Sequence, residues 1–246
     1  MQGLDELILG CEEAGEFLLQ AWKQGHFQDD SLIKDRDLKL GIDILAENKI
    51  LKHLEPYNLS CYTEERGWIG AKDSNYVLID GLDGTVNFAN NLPIFSVSAA
   101  IMRGSKAVAG VVVDPLNQKT LTRHSNGPLL INRKYHKMVK QNKTRIESLL
   151  LSAITPTFFD DTNNTSRHLN LLRGFGKVRM AGSAAWSVAM LAEGNIDAVY
   201  FPDIYRWDVM GGVALLGDDN FEVLIDDNSY DKDLCTLYAK GKWVSD

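Results

Sequence analysis

The chain has 246 residues, 45% of them hydrophobic and 24% charged, with 20 Gly and 6 Pro, a composition that excludes the disordered and fibrous classes. Lys and Arg number 26 against 33 Asp and Glu, and the resulting formal charge of −7 argues against a nucleic-acid polymer as principal partner. Cys11, Cys61 and Cys235 are widely spaced with no CxxC pairing, which fits a reduced cytoplasmic protein, and no apolar run approaches the roughly 20 residues of a membrane span.

From Leu4 to Trp22, apolar residues recur at three- and four-residue intervals, predicting an amphipathic helix. A second helix is predicted from about Ile42 to Leu54, with Leu45, Ile50, Leu51 and Leu54 on its apolar side and Asp43 and Glu47 sharing another edge. Short apolar runs at Asn58–Thr63 and Tyr76–Asp80 end in acidic residues and read as strands that deliver carboxylates into loops. Ile94–Met102 and Ala107–Asp114 flank the turn Arg103-Gly104-Ser105 as an antiparallel hairpin stopped by Pro115. Beyond the basic stretch Asn132–Arg145, strands at Ser148–Ile154, Lys177–Met180, Ala198–Phe201 and Phe221–Ile225 alternate with helices. These helices are predicted at about Asn163–Leu172, Ser183–Glu193 and Asp208–Leu216. The organisation expected is an N-terminal α+β half over 1–145 packed on a C-terminal α/β half over 146–246. Arg133, Lys134, Lys137, Lys140, Lys143 and Arg145 form a solvated face at the junction.

The densest chemical signal is Asp80-Gly81-Leu82-Asp83-Gly84-Thr85-Val86-Asn87-Phe88, directly after a predicted strand. Two carboxylates three residues apart on a Gly-punctuated turn converge on one point, and the Leu82 carbonyl between them adds an oxygen of the kind hard divalent cations take. Gly84 and Thr85 open a helical turn whose free N–H groups favour an anion. Asp-Gly pairs are also ordinary turn chemistry, so the loop gains weight from Glu64 and Glu65 after their strand and from Asp208 at a helix start. Bound cations would let an acidic chain act on phosphate esters.

In this order along the chain, Asp37, Asp43 and Glu47, then Glu64-Glu65, Asp80 to Phe88, Gly182-Ser183-Ala184-Ala185 and Trp207-Asp208 resemble the inositol monophosphatase family of lithium-sensitive, Mg²⁺-dependent phosphomonoesterases. The resemblance implies a layered αβαβα sandwich of the α+β class. It implies Glu64, Asp80 and the Leu82 carbonyl as ligands of one Mg²⁺, Asp80, Asp83 and Asp208 as ligands of a second, and Glu64 at a weaker third. Thr85 and Asp43 correspond to the pair that orients and deprotonates the attacking water, with Glu64 assisting. Gly84, Thr85 and Asp208, with the helix start at Gly182, Ser183 and Ala184, correspond to substrate-facing positions. The same start also reads as a plain N-cap with Ser183 capping.

The chain departs from the family at several points. Gly81 stands where relatives carry Pro, loosening the loop; Leu40 replaces a Thr; Gly217-Asp218-Asp219-Asn220 replaces a Gly-rich stretch. Phe201 occupies the position of a Glu that binds an inositol hydroxyl, with Asp203 nearby as a substitute. The expectation is therefore a Mg²⁺-dependent, Li⁺-inhibited phosphatase acting on a small phosphorylated sugar, cyclitol or inositol-like polyol, homodimeric as the family is, and without nucleic-acid or membrane partners. The alternatives are a 3′(2′),5′-bisphosphate nucleotidase or fructose-1,6-bisphosphatase activity, and a non-catalytic binding module. The scattered His26, His53, His124, His136 and His168 are read as surface or core residues, and Arg179 as surface.

Overall fold

The computed structural model describes residues 3–25, 32–34, 37–39, 41–125, 127–153, 162–227 and 233–245. His26, Leu40 and Ile154 lie outside them. Helix α1 (Leu4–Gln24) buries Leu7, Cys11, Ala14 and Leu18. After the short hairpin β1 (Leu32–Lys34) and β2 (Asp37–Lys39) comes α2 (Gly41–Leu54).

The first large sheet contains β3 (Cys61–Thr63), β4 (Gly67–Ile69), β5 (Asn75–Asp83), β6 (Ser96–Arg103), β7 (Lys106–Asp114), β8 (Lys119–His124), β9 (Leu130–Ile131) and β10 (Lys134–Tyr135), in the order β10-β9-β8-β7-β6-β5-β3-β4. All its pairings are antiparallel except β3 with β5. The helix α3 (Thr85–Ala89) lies between β5 and β6. The second half contains β11 (Lys143–Thr144), β12 (Leu149–Ser152), α4 (Thr162–Arg173), β13 (Lys177–Met180), α5 (Ala184–Glu193), β14 (Ala198–Tyr205), α6 (Arg206–Val213), β15 (Phe221–Asp227), β16 (Leu234–Gly241) and β17 (Val244–Ser245). Its five-stranded sheet runs β13-β12-β14-β16-β15, with β12 parallel to both neighbours and β16 antiparallel to both of its own. The strand β17 pairs in parallel with β11.

Helices α1 and α2 cover one face of the first sheet, α5 and α6 fill the space between the sheets, and residues of α4 pack on Leu150, Ala198 and Tyr200 behind the second, giving an αβαβα sandwich. The middle layer owes its thinness to glycine. A Cβ on Gly110 of β7 would fall 2.2 Å from the Gly211 carbonyl of α6, and one on Gly211 would fall 2.4 Å from Ser98 Oγ of β6. This seam seats α6, and Asp208 with it, directly on the first sheet. Hydrophobic burial anchors the loop between β5 and β6: Phe88 and Phe95 are 0% exposed with ring centroids 5.0 Å apart, edge to face. Truncating either side chain would cost about 3–5 kcal/mol.

One expectation needs correction. Leu45 is not on the buried side of α2: it is 52% exposed, and the inward face carries Asp43 and Glu47 beside Ile42, Ala46 and Ile50. Hydrophobic periodicity misleads here because the face packed inward is partly polar. The basic stretch is in part the solvated face expected, with Arg133, Lys134 and Lys137 exposed, and in part engaged. Arg133 pairs bidentately with Glu12 at 2.9 and 2.7 Å, Lys143 binds Asp197, Lys140 lies over Trp243 at 4.4 Å, and Arg145 lies over Phe175. Among the described residues no helix is long and apolar enough to cross a membrane.

Candidate metal centre

Three acids from separate stretches of the chain meet. Glu64 follows β3, Asp80 lies within β5, and Asp208 is the third residue of α6; one carboxylate oxygen of each lies within 4.8 Å of the other two. Pairing of β5 with β6 brings this about: Asp80 lies opposite Ser98 and Asp83 opposite Ser96, so Gly81 and Leu82 bulge out of register and the chain turns at the carboxylates.

Asp80 is 1% exposed. Its Oδ1 accepts the Leu82 N–H at 2.9 Å, whereas its buried Oδ2 has no hydrogen-bond partner among the described residues. Burial, then the charges of Glu64, Asp83 and Asp208, hold its acid well above the usual carboxylate range. A buried, unpartnered carboxylate oxygen facing two more carboxylates is the donor set a hard divalent cation satisfies.

Asp83 stands outside this cluster of three and serves α5. Its Oδ1 accepts the Ala184 N–H at 3.0 Å; its Oδ2 accepts the Ala185 N–H at 2.9 Å and hydroxyls from Ser96 at 3.0 Å and from Ser183. Burial raises this acid while those donors lower it. Ser183 is therefore not the side-chain cap of α5, whose leading N–H groups are satisfied across the two halves by Asp83 instead. Asn87 ties the same two segments, its amide donating to the Ile94 and Ala181 carbonyls at 2.8 Å each.

Gly84 caps α3 with φ 95°, and Gly182, with φ 79°, faces the Asn87 amide. Thr85 Oγ1 donates to the Leu82 carbonyl at 3.0 Å, and Asp43 is buried on α2. At Gly81 an added Cβ would meet the Asp43 carbonyl at 2.9 Å and the Glu47 nitrogen at 2.9 Å, so α2 packs against the turn too closely for a side chain there. Phe201 is 2% exposed within the core between the sheets. Trp207, next to Asp208, stacks on Tyr205 at 4.5 Å and meets Tyr62 edge-on at 5.9 Å. Arg179 donates to its neighbour Val178 at the surface.

Nus factor SuhB of Pasteurella multocida is 28% identical over 216 residues, covering 85% of this chain and 79% of the relative. A fructose-1,6-bisphosphatase/inositol-1-monophosphatase of Thermococcus kodakarensis is 29% identical over 184 residues, covering 73% and 66%. The solved extragenic suppressor protein SuhB of Bartonella henselae superposes with a TM-score of 0.84 at 22% identity, covering 99% of this chain and 95% of that one, a likeness of fold. The class these features define is a phosphatase. The chain belongs to the inositol monophosphatase family, whose model it matches over residues 7–218, a span that holds every residue of the centre just described.

Proposed function

We propose that the protein hydrolyses the phosphomonoester of a small sugar, cyclitol or similar polyol with Mg²⁺, and that Li⁺ inhibits it. The observation that carries this reading is the convergence of Glu64, Asp80 and Asp208 with the unpartnered, buried Asp80 Oδ2. Glu64, Asp80 and the Leu82 carbonyl would hold one ion, and Asp80, Asp208 and Asp83 a second, with a third at Glu64. Asp83 would contribute through Oδ1, which carries one hydrogen bond where Oδ2 carries several. When bound, Mg²⁺ supplies positive charge to the phosphate and leaving oxygens and acidifies water.

The chain's own groups do the rest. Asp43 and Thr85 orient the attacking water, and Asp43 takes its proton, with Glu64 assisting. The N–H groups of Gly84 and Thr85 at the start of α3 hold the phosphate, and Gly182 and Ser183 border the polyol with Asp208. Ala184 would touch it through its methyl group, because its N–H is given to Asp83. With Phe201 in the core, that position presents no carboxylate to an inositol hydroxyl; Asp203, half-buried two residues on, is the acid left to substitute, and a polyol other than inositol is favoured. Three free, buried cysteines suit a cytoplasmic setting, and a homodimer is the assembly we assign.

Two sibling activities, on a 3′(2′),5′-bisphosphate nucleotide or on fructose 1,6-bisphosphate, use the same groups, and the Thermococcus relative is named for the second. A non-catalytic role is suggested by the Nus-factor name of other relatives, but converging acids that repel one another serve a binding module poorly. Phosphate release from a panel of sugar, cyclitol and nucleotide phosphates, with and without Mg²⁺, decides among these. Release fastest from a sugar or cyclitol ester and absent without Mg²⁺ supports the reading, fastest release from the nucleotide replaces it, and no release from any ester leaves the binding module.

A further inference from the structure

We propose that Glu47 is a positioning residue that sets the direction of Glu64, an inference that rests on the metal-centre reading above. Glu47 lies on the inward face of α2, is 0% exposed, and reaches the end of β3. Its Oε2 accepts the Thr63 hydroxyl at 2.9 Å and its Oε1 accepts the Glu65 N–H at 3.0 Å, so one carboxylate grips the residues on both sides of Glu64. The Glu64 N–H is held in turn by the Ile79 carbonyl of β5 at 3.2 Å. Both donors to Glu47 are committed. An amide N–H has no other role, and Thr63 Oγ1 already accepts the Arg66 N–H at 3.1 Å, which leaves its hydroxyl proton for Glu47.

Glu47 also abuts the loop that delivers the neighbouring ligand. Its backbone nitrogen and Cγ occupy the space where a Gly81 Cβ would fall, at 2.9 and 3.0 Å, one residue beyond Asp80. A single buried side chain thus braces the turns that carry Glu64 and Asp80, and fixes their spacing before any cation arrives. The carboxylate of Glu47 does not belong to the cluster of three whose oxygens converge. Its effect passes through Glu64.

The geometry points to a graded result. Glu47→Gln keeps the shape but turns an NH₂ toward one of two donors, so one contact is lost. Thr63→Val removes the hydroxyl and leaves Oε2 buried without its donor; Thr63→Ser restores it. The probe is Mn²⁺ alone, titrated into the substrate-free full chain and followed by the electron paramagnetic resonance of the free ion, well below each variant's melting temperature. Glu47→Gln and Thr63→Val are expected to weaken Mn²⁺ binding on the order of tenfold or more, and Thr63→Ser to stay within about twofold of the parent. A general loss of stability would not separate Val from Ser in this way at a temperature where all are folded. Should Glu47→Gln fail to fold, the Thr63 pair decides alone.

Asp80→Asn serves as the reference and should abolish binding. Parental affinity in both Glu47→Gln and Thr63→Val, with binding lost in Asp80→Asn, overturns the role of Glu47 and leaves the metal centre standing. Parental affinity in Asp80→Asn overturns the metal centre itself.

Discussion

Removing a ligand charge should make the metal-free protein more stable. Asp80→Asn keeps the volume and the Oδ1 that accepts the Leu82 N–H, but deletes the charge that faces Glu64 and Asp208 within 4.8 Å. At an effective dielectric of 20, two unit charges at that distance repel by about 3.5 kcal/mol. Glu64 and Asp208 are only half-buried and solvent screens their charges, so a net gain of roughly 1–3 kcal/mol is expected. For a chain of this size each kcal/mol moves the melting temperature by roughly 2–4 °C.

The assay is thermal unfolding in EDTA and in Mg²⁺. Asp80→Asn should melt several degrees above the parent in EDTA and gain little from Mg²⁺, whereas the parent should gain clearly. The sign also fixes a pH dependence. With its acid raised in the folded state, Asp80 holds a proton that the unfolded chain has released. Metal-free stability therefore falls as pH rises from the ordinary carboxylate range through the raised value. Asp80→Asn should flatten that decline, leaving the portions due to Asp83 and Glu47, whose acids burial also raises. A variant that melts below the parent in EDTA, or retains the full Mg²⁺ gain, refutes the reasoning.

Asp83→Asn, three residues on, should have the opposite sign: its Oδ2 must accept from Ser96, Ser183 and Ala185, and an NH₂ there would cost about 1–3 kcal/mol, read as a lower melting temperature in EDTA. Gly81→Ala should destabilise by about 1–3 kcal/mol and reduce turnover, because the new methyl collides with backbone atoms of α2; calorimetry alongside an activity assay tests both halves of the statement. Phe201→Glu, which supplies the side chain that the family resemblance implies at this position, should cost on the order of 3–5 kcal/mol by burying an unpaired charge and should confer no preference for inositol phosphates; a soluble, stable variant with that preference would show that position 201 faces the substrate.

Much of the fold was legible because its elements are periodic and bounded. The stripe of α1 and the hairpin of β6 and β7 around Gly104 state their structure locally. The end of β5 stood out in the sequence as a dense acidic turn, but the expectation that Asp80 and Asp83 converge on one point did not follow from spacing alone: Asp80 joins Glu64 and Asp208, and Asp83 turns to α5. What stayed hidden was non-local. Leu45 and Asp43 exchange the places expected of them because a polar site lies under α2, and nothing within α2 says which face meets it. The capping of α5 by Asp83 joins residues about a hundred positions apart. Gly81 reads in isolation as slack and in place as a fit, since the backbone that presses on it comes from another element. Glu47 carried a faint signal, one helical turn after Asp43, that makes sense only once β3 is laid beside it.

The topology of the second sheet bears on when the protein becomes competent during synthesis. The strand β16 lies between β14 and β15, and β17 returns to pair with β11 at the start of this half. Asp208 reaches Glu64 and Asp80 only on α6, which that sheet supports from behind. A nascent chain halted before β16 would already hold all three converging acids, with α6 seated on the first sheet; what it would lack is the backing, since β15 would have no strand to pair with and β14 would stand without its antiparallel neighbour.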